Sequence, residues 1–224
     1  MKKIRVLLAD DHTIVRQGLR SLLSAELDME VVAEAEDGRQ AVRLANESKP
    51  DVVVMDIAMP QLNGLEATRQ ITKEKIPAKV LILSSYSDDE YIQQLTEAGA
   101  TGYLIKKTAA NDLINAIREV NKGNAFYSPS ISKRLFDYYR QSTLEGKPVK
   151  RHNERFTSRE LEVLQLVAEG RVNKQIAAEL CISAKTVEKH RQQVMDKLDI
   201  HDVAGLTRYA IAHGIIESLP KLSQ

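Results

Sequence analysis

Three carboxylates, a hydroxyl and an amine stand at the ends of short apolar runs in the first half of the chain. Asp10 and Asp11 follow residues 4–9, Asp56 follows VVVM, Ser84 follows residues 80–83, and Lys106 follows residues 102–105. Asp56 lies within VVVMDIAMPQLNG, residues 52–64, where Pro60 and Gly64 punctuate a loop. An apolar run closed by turn residues reads as a buried strand, and α/β sheets collect ligands beyond the carboxyl ends of such strands. Alone, Asp56 would read equally well as a helix cap. If the strands ending at Ala9 and Met55 are neighbours, Asp10, Asp11 and Asp56 share one pocket. Like charges that close repel one another unless a cation intervenes. A hard divalent cation such as Mg²⁺, which takes oxygen ligands and keeps several waters, satisfies such a pocket and leaves room for a phosphate. The chemistry is therefore phosphoryl chemistry.

The elements that must position these groups alternate. Strand candidates at 4–9, 30–33, 51–55, 80–83 and 102–105 are separated by amphipathic segments at 14–27, 40–47, 65–73, 90–98 and 109–121. In the last, Leu113, Ile114, Ile117 and Val120 recur at helical spacing. Five βα units predict a flavodoxin-like parallel sheet of five strands, order 2-1-3-4-5, with helices on both faces and the strand ends gathered on one edge. After Gly123 the pattern breaks; one more helix is expected over 131–139, and 141–153, with Gly146, Pro148 and a basic cluster, reads as a linker.

A helical pattern begins at Thr157, whose spacing to Glu160 fits a capping box. Asn173, Ser183 and Asp202 each read as the cap of a further helix, giving an all-α module of four helices. The two helices joined across 181–183 have the proportions of a helix-turn-helix. Cys181, in that turn, reads as a small buried apolar residue. The domain expectation is 1–124, a connecting helix and basic linker at 125–153, and 154–224.

Composition sets bounds. The chain has 224 residues, 43% hydrophobic and 28% charged, with net charge +1 and one cysteine. Residues 131–151 hold six basic and two acidic side chains while 152–224 hold ten of each, so the basic excess sits in the connector and says little about nucleic acid. No apolar run nears the roughly 20 residues of a membrane span, and the apolar start ends at Asp10, short of a signal peptide. With one cysteine, a reducing cytoplasm is the expected compartment.

Asp10-Asp11, Asp56 with Met59-Pro60 and Gly64, Ser84, and Tyr103-Leu-Ile-Lys106 resemble the receiver domain of bacterial two-component response regulators. The resemblance implies Asp56 as phosphoacceptor and Asp10, Asp11, Asp56 and the main-chain carbonyl of Ala58 as the Mg²⁺ ligands. It further implies Lys106 as the partner of the phosphate, Ser84 as the hydroxyl that moves to it, and Tyr103 as the ring that then turns inward. These roles are physically coherent: a carboxylate accepts a phosphoryl group when a metal and a lysine neutralise the incoming oxygens, and the added charge biases a two-state element. Lys107 stands where many receivers have proline. His12, beside the acids, reads as helix-start surface, because the five histidines lack metal-ligand spacing.

Residues 157–213 resemble the LuxR-type helix-turn-helix, on FTSRELEVLQLVAEG (which begins at Phe156), NKQIAAEL and ISAKTVEKHRQQVMDKL, and the combination resembles the NarL/FixJ class. On the presumed reading helix Val187, His190, Val194 and Leu198 form a core face, leaving Lys185, Glu188, Lys189, Gln192 and Asp196 opposite. Glu188 and Gln192 are candidates for base edges, Lys189 for a base or a phosphate, and Lys174, Lys185, Thr186 and Arg191 for phosphates. Glu188 either accepts from a cytosine amino group or pairs with Lys185. The resemblance implies dimerisation through the last helix, at Val203, Leu206, Tyr209 and Ala210.

The expected function is a phosphorylation-dependent transcriptional regulator, not a turnover enzyme, with promoter DNA, a sensor histidine kinase, a second copy of itself and RNA polymerase as partners, and no membrane. Two rivals remain. One keeps DNA binding but makes the receiver an unphosphorylated scaffold; the other makes Asp56 the nucleophile of a phosphatase, a class that usually carries a second acid where this chain has Ala58.

Overall fold

Four short apolar runs, each flanked by turn residues, build the centre of the first half. The computed structural model describes residues 2–85, 89–107, 110–144 and 156–216, and the chain divides into two compact units, Met1–Met59 with Asn63–Arg151 and Pro60–Leu62 with His152–Gln224. In the first unit β1 (Ile4–Ala9), β2 (Met29–Ala35), β3 (Val52–Met55), β4 (Lys79–Ser84) and β5 (Gly102–Ile105) alternate with α1 (Thr13–Ser24), α2 (Gly38–Ser48), α3 (Gly64–Lys73), α4 (Asp89–Ala98) and α5 (Ala110–Asn121). All strand pairs are parallel, in the order β2-β1-β3-β4-β5-β6. The expected order holds, but the sheet has six strands, not five. The sixth, β6 (Phe126–Tyr127), pairs with Gly102 and Tyr103 of β5, and α6 (Pro129–Leu144) follows it. It is too short for a two-residue alternation to be seen in sequence.

Buried parallel strands are apolar on both faces. Val6, Leu8, Val52, Val54, Leu81, Leu83 and Leu104 pack in one cluster with Leu23 of α1 and Leu113, Ile114, Ile117 and Val120 of α5. Their neighbours in sequence, Leu7, Val53, Met55 and Ile82, are fully buried as well. Two caps aim the helices: Asp37 accepts from the Gln40 amide at 2.8 Å and Asn63 from the Glu66 amide at 2.9 Å, each worth about 1 kcal/mol.

The second unit contains α7 (Ser158–Ala168), α8 (Asn173–Glu179), α9 (Ala184–Leu198) and α10 (Val203–Ala212), around Val163, Leu166, Ile176, Val187, Val194, Leu206 and Ala210. The Thr157–Glu160 capping box is present, and Ser183 and Asp202 cap α9 and α10. Asn173 does not cap α8. Val172 holds that position, and the Asn173 side chain instead accepts from Arg191 Nη1 at 2.9 Å. Cys181 is exposed rather than buried, with a φ of 52°. The tight turn needs a left-handed residue there, so Leu180 turns into the core while Cys181 points out. The expected linker covers the end of α6, and its residues 145–153 lie outside the described residues.

Candidate functional site

The acid pocket follows from the sheet order. β1 and β3 are neighbours, so Asp10, one residue past β1, and Asp56, one residue past β3, leave the sheet side by side; the Asp56 amide donates to the Ala9 carbonyl at 2.8 Å. Both carboxylates are buried, 2% and 3% exposed. Lys106, arriving from β5, spans them: its Nζ lies 2.6 Å from Asp56 Oδ2 and 2.8 Å from Asp10 Oδ2. Its own amide donates to the Ser84 carbonyl at 2.8 Å, which ties the ends of β4 and β5 together. The sequence-expected set of Asp10, Asp56, Ser84 and Lys106 thus meets at one sheet edge.

Local backbone fixes Asp56 further. Its Oδ1 accepts from the Ile57 amide at 2.8 Å, and the Gly64 amide donates to the Ile57 carbonyl at 2.7 Å. A Cβ at Gly64 would collide with the Asp56 carbonyl oxygen, so glycine is needed there for close approach rather than for its φ. Ala58, 5% exposed, lies two residues beyond Asp56.

Burial is the largest influence on Asp56 and lifts its carboxyl from 3.8 to about 6, against the pull of Lys106. For Lys106, burial favours the neutral amine, but the Asp56 and Asp10 carboxylates outweigh it and hold the ammonium above its ordinary range. One lysine thus serves two buried acids while Asp11 adds a third. One atom each of Asp10, Asp11, His12 and Asp56 lie within 4.8 Å of one another. Asp11 Oδ1 is buried, and its near neighbour is His12 Nδ1 at 2.7 Å. Clustered hard oxygen donors, with one lysine shared between the two buried acids, fit a hard divalent cation.

Ser84 and Tyr103 are buried, at 0% and 1% exposed. The sequence reading has Tyr103 turning inward as part of a switch; here the ring is already inside. The peptide bond at Lys107 needs no special geometry, since no cis bond occurs among the described residues.

Two contacts near the pocket escaped the sequence reading. His12 is helix-start surface as expected, at the N-cap of α1 and exposed, and its Nδ1 also approaches Asp10 and Asp11. Arg16, 6% exposed on α1, donates from Nη1 to the Asp10 carbonyl at 2.7 Å and pairs with Glu36 at 3.2 Å. It positions the Asp10 main chain. The only signal for either was proximity to the acidic pair.

In the second unit, Lys174, Lys185, Glu188, Lys189 and Gln192 are exposed, Thr186 and Arg191 half-buried. Val187 and Val194 are buried and His190 and Leu198 half-buried on the opposite side of α9, so the expected division of faces is the observed one. The Arg159 guanidinium donates to the Leu180 carbonyl at 2.7 Å and to Glu162 at 2.8 Å, pinning the turn onto α7. Lys197 reaches Glu160 at 2.6 Å; although burial raises the Glu160 carboxyl, Lys197 and the Thr157 amide bring it below its usual range. Gln192 donates to Asp196 at 2.7 Å.

The residues expected at the dimer interface differ in burial. Leu206 and Ala210 are 1% and 0% exposed, enclosed by α7 in the module's own core. Tyr209 is half-buried, in edge contact with Phe156. The large apolar residues that α10 leaves outside are Val203, 42% exposed, and Ile211, 38% exposed.

Comparison with known proteins agrees with both halves. Residues 6–118 match the response regulator receiver domain, and residues 154–210 match the bacterial regulatory proteins of the luxR family. The chain is 42% identical to the transcriptional regulatory protein LiaR of Bacillus subtilis (strain 168), over 92% of this chain and 96% of that protein. Among solved structures it resembles the response regulator ChrA of a heme-sensing two-component system, with 35% identity, a TM-score of 0.52, and 96% and 100% of the two chains covered. It also resembles RcsB in a structure of two dimers bound to two parallel DNAs, with 26% identity, a TM-score of 0.57, and coverage of 93% and 98%. The chain belongs to the bacterial response regulators of the NarL/FixJ class, which join a receiver to a LuxR-type helix-turn-helix domain.

Proposed function

We propose that phosphorylation of Asp56 controls DNA binding by the LuxR-type module. The observation that carries this reading is Lys106 bridging two buried carboxylates, Asp56 and Asp10. A buried, lysine-paired carboxylate is a competent nucleophile: one Asp56 oxygen attacks the donor phosphorus, a P–O bond forms, and the P–N bond of a kinase phosphohistidine breaks with its electron pair leaving on nitrogen. Lys106 holds the transferred oxygens. Asp10, Asp11, Asp56 and the Ala58 carbonyl would hold Mg²⁺, which when bound neutralises the charge of the transferring group. Asp56 must be ionised to attack, whereas burial favours its protonated form until cations offset that cost.

The phosphorylated side chain carries more charge and more acceptor oxygens than the carboxylate. Ser84, at the neighbouring strand end, is the donor that can move to them, and Tyr103, on β5, is the ring whose packing responds. The output is a promoter-bound homodimer that acts through RNA polymerase. Lys185, Glu188, Lys189 and Gln192 supply the reading face, with Lys174, Thr186 and Arg191 on phosphates. Dimerisation through the second unit uses Val203 and Ile211 with Tyr209 at the edge, rather than Leu206 and Ala210. The domain assignment is receiver over 1–124, connector over 125–153 and DNA-binding module over 154–224.

Single-turnover labelling tests the reading. With Mg²⁺ and a radiolabelled acyl phosphate donor, wild type should take up one equivalent as a hydroxylamine-labile acyl phosphate, and Asp56→Asn none. Steady multiple turnover of phosphate esters would favour a phosphatase instead, and no label at all would favour a scaffold.

A further inference from the structure

His12 occupies the N-cap of α1, with extended backbone, yet its side chain makes no capping hydrogen bond. Ser, Thr, Asp or Asn at that position would cap the helix. The His12 amide instead donates to Asp10 Oδ1 at 2.9 Å, and the ring turns back over the pocket. Its Nδ1 lies 3.3 Å from Asp10 Oδ1 and 2.7 Å from Asp11 Oδ1. The side chain is 52% exposed. Among the described residues this is where histidine and carboxylate donors converge: Asp10, Asp11, His12 and Asp56 each offer an atom within 4.8 Å of the others.

We propose that His12 is a nitrogen ligand at this pocket and makes it a site for a first-row transition dication, Ni²⁺ being the probe, in addition to Mg²⁺. The proposal rests on the reading of the pocket as a divalent-cation site. Three carboxylates alone are a hard donor set, suited to Mg²⁺. Adding an imidazole changes its selectivity, because imidazole nitrogen favours Ni²⁺, Cu²⁺ and Zn²⁺ and contributes little toward Mg²⁺. The 2.7 Å approach of Nδ1 to Asp11 Oδ1 is that of a donor to a carboxylate, so a metal ion that binds there displaces the Nδ1 proton, which leaves to solvent or moves to Nε2. Lys106 holds Oδ2 of both Asp10 and Asp56, while Asp10 Oδ1 and Asp11 Oδ1 face His12.

The test is calorimetric titration of the full-length protein with Ni²⁺ and with Mg²⁺, in wild type, His12→Ala and Asp56→Asn. Only the Ni²⁺ site displaced by Mg²⁺ counts, which sets aside adventitious binding at other histidines. His12→Ala should weaken that site at least about tenfold, the lower end of what loss of even an outer-shell partner costs, and leave Mg²⁺ affinity nearly unchanged. Pulsed EPR with Cu²⁺ in the same site should show imidazole nitrogen coupling in wild type that His12→Ala removes. Equal Ni²⁺ affinity in wild type and His12→Ala, with Mg²⁺ binding intact and lost in Asp56→Asn, would overturn the His12 proposal alone. No Mg²⁺ binding in wild type would overturn the cation-site reading beneath it.

Discussion

Asp56→Asn should stabilise the first unit, although it removes the residue on which the proposed function depends. In the fold the Asp56 carboxyl is lifted from 3.8 to about 6, chiefly by burial, with Lys106 already pulling the other way. At ~1.36 kcal/mol per tenfold in proton affinity, keeping that carboxylate ionised costs the folded state about 3 kcal/mol at neutral pH. Asn is close in shape and carries no charge, while Lys106 keeps Asp10 at 2.8 Å. The sign follows from proton binding. Between 3.8 and about 6 the folded protein holds a proton that the unfolded chain has released, so wild-type stability falls as pH rises through that window and levels off above it. The advantage of Asp56→Asn should therefore be complete above about pH 6, shrink as the pH is lowered, and vanish below the unfolded value. Three kcal/mol corresponds to roughly 6–12 °C in midpoint for a unit of this size. Calorimetric melting in chelator, across the pH range, measures it, and Mg²⁺ should narrow the gap by binding wild type preferentially. A destabilised Asp56→Asn, or a gain independent of pH, would refute the burial argument.

Other perturbations separate the roles of neighbouring groups. Lys106→Met leaves two buried carboxylates without their shared cation and should cost about 3–5 kcal/mol in urea unfolding, with loss of phosphoryl labelling. Gly64→Ala drives a methyl into the Asp56 carbonyl; a cost of about 1–3 kcal/mol, as for other overpacked sites, should come with slowed labelling. Asp202→Ala removes the cap on the Gly205 amide and should lower the stability of the second unit by about 1 kcal/mol while Asp56 labelling is unchanged. Ile211→Glu places a charge on the exposed apolar edge of α10 and should weaken dimeric DNA binding in gel-shift titrations without altering the melting of the monomer.

Much of the receiver was legible because its strands are apolar on both faces and end in chemistry: Ala9-Asp10, Met55-Asp56, Leu83-Ser84 and Ile105-Lys106 mark the sheet edge directly. The caps at Thr157, Ser183 and Asp202 were legible for a related reason, since a short polar side chain before an apolar run has few other uses. What was not legible depends on three-dimensional neighbours. Phe126-Tyr127 becomes a strand only because Gly102 and Tyr103 offer it an open edge. Cys181 resembles a core residue by type, but its left-handed backbone turns it outward. On α10, apolar residues occur almost all round, so periodicity could not say that Leu206 and Ala210 face α7 while Val203 and Ile211 stay outside. His12 followed two acids in sequence, and only the turn after β1 shows its ring folding back over them.

The central claim is that the state of Asp56 governs where the protein sits on DNA. Genome-wide occupancy of wild type and Asp56→Asn, mapped in the same cells at matched protein levels, tests it most directly. Wild type is expected to gain a set of promoter sites when phosphodonor rises, and Asp56→Asn to lack that gain. Identical occupancy maps for the two proteins under both conditions would contradict it.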